Sequence, residues 1–463
     1  MASCRGDDVG ACQSLCRAKE EDVPPSEASS VPEDDTRHTP SKFFKGELGL
    51  CSKCGQEKPA SNGLCSPCFR SYLFGKFKVA VTSNAMISPS DKVLVAFSGG
   101  PASRVALQFI LDIQFKSLRN WDASKSQGLP VFGIGVAFVD QSTVSLNSPN
   151  LMINAIEEIS SIVSELAPLH VTSIESIFGK GFNDGVKCLK ELLDSITDAT
   201  GKEDFIKYLR MLSLQKIALD NKYTKLLLGT CTSKMAREII SATVKGQGFS
   251  LPADLQYVDA RWAVPILLPL RDCLAQELAM ICHLDGLKTV QLFNFPSAGI
   301  NDLVSSFIAR LQVENPSRER TIVRTAEKLK PFSFKFFTKD ECYDFLPSII
   351  RPKFQNVKNE ESEPEFLCNI CRSPLSESEW QHFKGCIHGK CQTEIEMFVS
   401  QCCQCCRFQI LPKDRASLEK FYSLLPASIR DRMTNKGCDD KRWLREEIEE
   451  FLIKDAGDGD GDY

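Results

Sequence analysis

No stretch of these 463 residues stays apolar long enough to cross a bilayer. The longest apolar runs, Val131 to Val139 and Ala263 to Leu270, fall well short of the roughly 20 residues a spanning helix needs. An apolar signal core is missing too; the N-terminus is polar and acidic, which points away from secretion and toward a cytoplasmic protein. An excess of one charge is likewise lacking. Against 60 Asp and Glu stand 56 Lys and Arg, for a net charge of −4, which excludes a uniformly basic surface while leaving local basic patches open. Large apolar side chains are scarce in the first 40 residues, so residues 1–44 are expected to be a disordered tail, with Cys4, Cys12 and Cys16 as exposed thiols. Apolar periodicity is also missing over Asn356 to Glu365, which looks like a linker, and over the Asp–Gly alternation of residues 454–463, an acidic tail.

What the chain has in quantity is cysteine. Twenty-one thiols without a signal sequence point to zinc rather than to disulfides. Cys51-x-x-Cys54 and Cys65-x-x-Cys68 can surround one Zn²⁺ with four thiolates, and Gly55 directly after the first pair suits a tight turn. Four thiolates leave no open position for water, so such a zinc is structural. Phe69, Tyr72, Lys76, Phe77 and Lys78 follow at helical spacing, completing a zinc ribbon and connector helix over residues 45–82. A second set opens with Cys368-x-x-Cys371 and closes in Cys402-Cys403-Gln404-Cys405-Cys406, where either the 402/405 or the 403/406 pair has the required gap. Cys386, His388 and Cys391 lie between and could replace a ligand or form another site. With amphipathic helices over Leu418 to Leu425 and Arg442 to Ile453, residues 356–453 read as a linker and a C-terminal zinc module.

Residues 83–355 alternate short apolar runs with helical periods, the pattern of a doubly wound, mainly parallel sheet. Five strands are expected, over Val93 to Phe97, Phe132 to Val139, Leu169 to Ile174, Lys225 to Gly229 and Val264 to Leu268. Helices follow over Ser103 to Leu118 and Ile153 to Leu166. Ligands of such sheets bind beyond the carboxyl ends of the strands, where Ser98, Asp140 and Thr230 would converge. Ser98-Gly99-Gly100-Pro101-Ala102-Ser103 stands between the first strand and its helix. Two glycines let the backbone approach an anion closely, with amides and a helix N-terminus pointed at it, so this is a candidate phosphate cradle.

The cradle resembles the Ser-Gly-Gly-x-Asp-Ser loop of the PP-loop ATP pyrophosphatases, which have an adenine nucleotide alpha hydrolase-like fold, but with Ala102 where that family carries its carboxylate. A wider resemblance is to the cytoplasmic tRNA 2-thiolation protein 2 family. It is carried in order by Cys65-x-x-Cys68-Phe69-x-x-Tyr72 running into Lys76-Phe77, Ser98-Gly99-Gly100-Pro101, Gly229-Thr230 and Gly246-x-Gly248-x-Ser250-Leu251-Pro252. Pro269-Leu270-Arg271-Asp272 with Glu277 and Cys403-x-x-Cys406-Arg407 complete it. The resemblance selects the 403/406 pair and so the ligand set Cys368, Cys371, Cys403 and Cys406. It makes Ser98, Gly99, Gly100, Ser103, Gly229 and Thr230 the nucleotide-binding candidates. It implies a heterodimer with a catalytic PP-loop subunit. That pair takes sulfur from a thiocarboxylated ubiquitin-related modifier and installs it at the 2-position of the wobble uridine in the tRNAs for Lys, Glu and Gln.

The same resemblance shows what is missing. Active relatives carry Gly-His-x-x-Asp-Asp after the fourth strand; here Gly229-Thr230-Cys231-Thr232-Ser233-Lys234 has neither acid. Their Cys-x-x-Cys pair should fall near Tyr208 to Leu214 and a further cysteine near Phe293 to Ser297, and neither is present. ATP and Mg²⁺ are therefore assigned first to the partner subunit, and no Fe–S cluster is expected on this chain. Cys231 and Asp140 remain as weak catalytic candidates. Cys188, Cys273, Cys282 and Cys342 read as core thiols, and His170 and His283 as structural histidines. Arg310, Arg318, Arg320, Arg324, Lys328 and Lys330 are candidates for RNA phosphates, several of them sharing one helical face. Three functions stand: a catalytically degenerate subunit that supports an active partner and helps hold tRNA, a chain that itself adenylates tRNA, and a zinc-ribbon scaffold without nucleotide binding.

Overall fold

The computed structural model describes residues 49–123, 131–144, 149–179, 182–290, 299–315, 317–329, 366–386 and 393–432, all within one compact unit. The predicted N-terminal tail, the linker over Asn356 to Glu365, the helix over Arg442 to Ile453 and the acidic tail lie outside these residues. So do Cys4, Cys12, Cys16, Lys330, Cys342, His388, Cys391 and the stretch from Phe293 to Ser297.

A single mixed sheet organises the chain. Its strands are β1 (Lys92–Ala96), β2 (Gly133–Asp140), β3 (Leu169–Ser173), β4 (Lys225–Leu228), β5 (Val258–Asp259) and β6 (Ile266–Leu267). The order across the sheet is β3-β2-β1-β4-β6-β5, parallel throughout except for β5 against β6. The sheet thus has six strands, not the five expected. β5 is two residues long, too short for any alternation to show in the sequence, and the predicted fifth strand is β6, trimmed to Ile266–Leu267.

Helices α1 (Ser66–Ser83), α2 (Pro101–Ala123), α3 (Pro149–Val163), α4 (Phe182–Asp194), α5 (Ala199–Asp220), α6 (Thr232–Val244), α7 (Leu251–Asp254), α8 (Ala275–Leu284), α9 (Ile300–Glu314) and α10 (Ser317–Ala326) surround it. Successive strand residues point to opposite faces. Val93, Val95, Val136, Phe138 and Leu227 join one core with α1, α2, α3 and α8; there Phe77 meets Phe109 edge to face at 5.6 Å between ring centres. Leu94, Ala137, Val139 and Leu226 face the other way. A smaller core holds Met235 and Ile239 of α6, Leu251, and Val323 of α10.

The second face is covered by α4, α5 and the C-terminal cysteine module together. Leu189, Leu192, Phe205 and Leu209 share one continuous core with Phe398, Cys402, Cys406, Phe421 and Ile429. The contact with α5 is close. Gly201 lies in its first turn, where its amide donates to the Asp198 carboxylate at 2.7 Å. A Cβ at Gly201 would overlap the carbonyl oxygen of Gln409. Alanine would raise helix propensity by at most ~1 kcal/mol, whereas overpacking against backbone costs roughly 1–3 kcal/mol. Gly201→Ala is therefore expected to destabilise the protein by about 1–2 kcal/mol, read as a lower midpoint in thermal unfolding; an unchanged or higher midpoint would show that the module does not bear on α5.

Candidate functional site

The cradle forms where β1 ends. Gly99 has φ of +79°, a left-handed conformation suited to glycine, and its carbonyl accepts from the amide of Val290 at 2.9 Å. A Cβ there would stand 3.0 Å from the Val290 side chain and carbonyl. Ser103, in the first turn of α2, closes the loop from inside. Its hydroxyl accepts from the Ser98 amide at 3.2 Å and donates to the Gly100 carbonyl at 2.9 Å. The end of β4 reaches the same place: a Cβ on Gly229 would lie 2.8 Å from the backbone of Ala102 and Ser103. Ser98, Gly99, Gly100, Ser103, Gly229 and Thr230 thus meet at the carboxyl ends of β1 and β4, where the strand order reverses.

The residues after Gly229 are tied into the fold. Thr232 donates its hydroxyl to the Arg271 carbonyl at 2.5 Å and its amide to the Cys273 carbonyl at 2.9 Å. Buried Ser233 donates to Glu319 at 2.5 Å and accepts from the Ala275 amide at 3.1 Å. The Pro269-Leu270-Arg271-Asp272 motif is the centre of this lattice. Arg271 is buried, pairs with Glu327, and lies over the Tyr257 ring at 4.1 Å. Asp272 accepts from the Tyr257 hydroxyl at 2.6 Å. Buried Glu277 accepts from Arg320 at 2.6 Å and from its own helix-capping amide, Leu274, at 2.8 Å.

The single candidate residues fall into different settings. Burial pushes the Cys231 thiol up, against the opposing effect of the Lys234 amide and charge, so it lacks the depressed pKa of a nucleophile. Asp140 turns its oxygens onto the amide and hydroxyl of Ser142, at 2.8 and 3.2 Å, closing an Asx turn rather than facing the cradle. Arg320 belongs to the Glu277 ion pair and Arg318 pairs with Glu314, while Arg324 and Lys328 are exposed. His283 is exposed on α8 rather than held in the core, and His170 lies 2.9 Å from the Tyr223 hydroxyl. Cys188, Cys273 and Cys282 are buried.

Two groups of four cysteines have the spacing of metal sites. In each, the sulfurs of Cys51, Cys54, Cys65 and Cys68, or of Cys368, Cys371, Cys403 and Cys406, all lie within 4.8 Å of one another. Both share one plan. The first pair sits in a tight turn, with Gly55 (φ +68°) or Arg372 (φ +63°) in the left-handed conformation just beyond it. The second pair opens a helix: Cys65 and Cys403 are N-caps, which places Cys68 and Cys406 in the first turn, where the helix dipole favours thiolate. The Cys51 thiol is lowered to about 6, chiefly by the amide of Cys54. In the second group amides of Cys403 and Ser373 donate to the sulfurs of Cys368 and Cys371, at 3.3 and 3.5 Å. Cys405 donates to the Gln409 side chain, and Cys402 donates to the Phe398 carbonyl while its thiol also neighbours Cys368.

No family model matches the chain. It is similar to cytoplasmic tRNA 2-thiolation protein 2 of Oryza sativa subsp. indica, with 54% identity over 427 residues that cover 89% of this chain and 92% of that protein. The chain belongs to this family. Its member from Arabidopsis thaliana is 49% identical over 420 residues, covering 88% and 91%, and the Homo sapiens member 23% identical over 504, covering 89% and 94%. Among solved structures, the U34-tRNA thiolase NcsA from Methanococcus maripaludis with its [4Fe-4S] cluster aligns with a TM-score of 0.48 and 17% identity, over 64% of this chain and 93% of that one.

The two cysteine groups differ in shelter. Cys54 is exposed and Cys68 half-buried, whereas Cys368, Cys371, Cys403 and Cys406 are all buried in the core they share with α5. Metal loss should therefore be biphasic. If both groups hold Zn²⁺, chelator is expected to empty the 51/54/65/68 group from the folded protein and the fully buried second group only as the protein unfolds. Stopped-flow chelation followed together with tryptophan fluorescence tests this; a single phase without unfolding would count against it.

Proposed function

We propose that the chain acts in 2-thiolation of the wobble uridine of the tRNAs for Lys, Glu and Gln, as the non-catalytic subunit of a cytoplasmic heterodimer. Its partner is a PP-loop subunit that performs ATP-dependent activation and sulfur insertion, with sulfur delivered by a thiocarboxylated ubiquitin-related modifier. Kinship with tRNA 2-thiolation proteins over most of the chain supports the pathway. The observation that carries the non-catalytic reading is the cradle itself. Ser103 occupies the Ser98 amide, Ala102 supplies no carboxylate, and Pro101 supplies no N–H. At the two positions where the motif of active relatives has acids stand Ser233, bonded to Glu319, and Lys234, of opposite charge. No thiol occupies Tyr208 to Leu214.

The cysteine groups fit single zinc ions better than iron–sulfur clusters. At a Zn–S distance of ~2.3 Å, tetrahedral ligands stand ~3.8 Å apart. Cys54 and Cys65 are 3.6 Å apart at sulfur, as are Cys371 and Cys403. A four-iron cluster binds each thiolate to a different iron and holds them farther apart. The Zn²⁺ would cross-link chain segments and offer no open position to substrate.

The test is pyrophosphate release and tRNA thiolation by this chain, the PP-loop partner and the pair, with ATP, tRNA and the thiocarboxylated carrier. Thiolation is expected only from the pair, no pyrophosphate from this chain alone, and two zinc with no iron per chain. Pyrophosphate release by the isolated chain would overturn the non-catalytic assignment and favour a chain that adenylates tRNA itself.

A further inference from the structure

Four cations gather near the start of α6 with fewer acids than cations among them. Lys207 and Arg210 lie one turn apart on α5, Lys234 and Arg237 one turn apart at the start of α6, and a 2.8 Å ion pair between Lys207 and Glu238 joins the two helices. Arg210 extends to the Gln141 side chain at 2.7 Å, just beyond β2. α6 itself springs from the end of β4, where Gly229 packs on the cradle. We propose that Lys207, Arg210, Lys234 and Arg237 form a strip that binds the phosphates of single-stranded or looped RNA along the carboxyl edge of the sheet.

Charge is the first argument. The acids close to these four are Glu203, which acts on Arg210, and Glu238, which serves three of the cations at once. Lys207, Lys234 and Arg237 together hold the Glu238 carboxyl down to about 2. Asp204 is engaged by Lys245 at 2.6 Å, and Asp254 by Arg261 at 2.7 Å. Lys234 and Arg237 are exposed and have no hydrogen bond or ion pair among the described residues. Crowding by the surrounding protein lowers the Lys234 ammonium, Glu238 opposes this, and the neighbouring Lys207 and Arg210 lower it further. Cations crowded together repel one another, and a bound polyanion removes that cost.

The shape of the strip selects among anions. A nucleotide's phosphates would sit on the cradle amides, whereas four cations on two helices extend past one such group and suit a backbone with repeating phosphates. α10 makes a weaker case, because Arg318 and Arg320 are already matched by Glu314 and Glu277. The proposal rests on the thiolation reading for its ligand class, and looped RNA of the anticodon arm is the form that reading supplies.

The probe is a fluorescent anticodon stem-loop of a lysine tRNA, titrated by anisotropy at 50–200 mM salt against the zinc-loaded full chain, alone and with its PP-loop partner. Removing two phosphate contacts on a single strand should lower the salt slope by about 1.4 and weaken binding roughly 20-fold near 0.1 M. K234Q/R237Q is expected to show this with unchanged thermal midpoint and zinc content; K234E/R237E should lose more. Unchanged affinity and slope in a variant of a chain that binds RNA would overturn the strip alone, as would displacement of RNA by excess ATP, or a comparable loss confined to R318Q/R324Q. Absence of RNA binding by the wild-type chain and by the pair would overturn the thiolation reading as well.

Discussion

A parallel sheet has no face it can leave to water, and everything else in this chain follows from that requirement. One face is roofed by α1, α2, α3 and α8, and the other needs α4 and α5 together with residues that come much later in the sequence. The C-terminal cysteines are thereby part of the α/β core. The N-terminal group is attached differently, through α1. Phe69, Leu73 and Phe77 bury one side of that helix, and Arg70 bonds both Asp112 and Asp285 at 2.7 Å. The two zinc-type knuckles, alike in local plan, therefore do different mechanical work.

Most of the architecture was legible because its signals are local. Apolar runs marked β1 to β4, and the two-residue gaps marked every cysteine pair. Spacing alone could not choose between 402/405 and 403/406. The choice is made by helix phase: Cys403 caps a helix and Cys406 lies in its first turn, which brings both sulfurs together with those of Cys368 and Cys371, a group that includes neither Cys402 nor Cys405. What was not legible depends on residues far apart in sequence. Arg320 looked like a phosphate ligand until α10 docked it on Glu277. The strip formed by Lys207, Arg210, Lys234 and Arg237 belongs to two helices, and neither has a basic run of its own. Asp140 stood where a strand-end acid is often functional, and a turn two residues long absorbed it.

The electrostatics divide the molecule. Buried thiols crowd the middle of α5 on one side: the Tyr208 hydroxyl is raised well above its usual value by burial, then by Cys371 and Cys406. Arg372 and Arg432 flank the same group. Burial lowers Arg432 to about 10, with Arg372 adding to it and Cys368 and Cys371 opposing. Cation excess lies on the other side of the helix, toward the cradle. Where the motif of active relatives has thiols, at Tyr208 to Leu214, this chain has a phenol, Arg210, Ser213 and apolar side chains, and sulfur approaches Tyr208 from a separate module instead.

The close approach of Gly201 to Gln409 also has a consequence in time. During synthesis the sheet and α5 leave the ribosome before Cys403 and Cys406 do, so one face of the sheet stays only partly covered until that cysteine pair emerges. Folding of this face is then completed only when the C-terminal module arrives. Until then the chain stands as a half-roofed intermediate with exposed apolar surface, the kind of species chaperones retain.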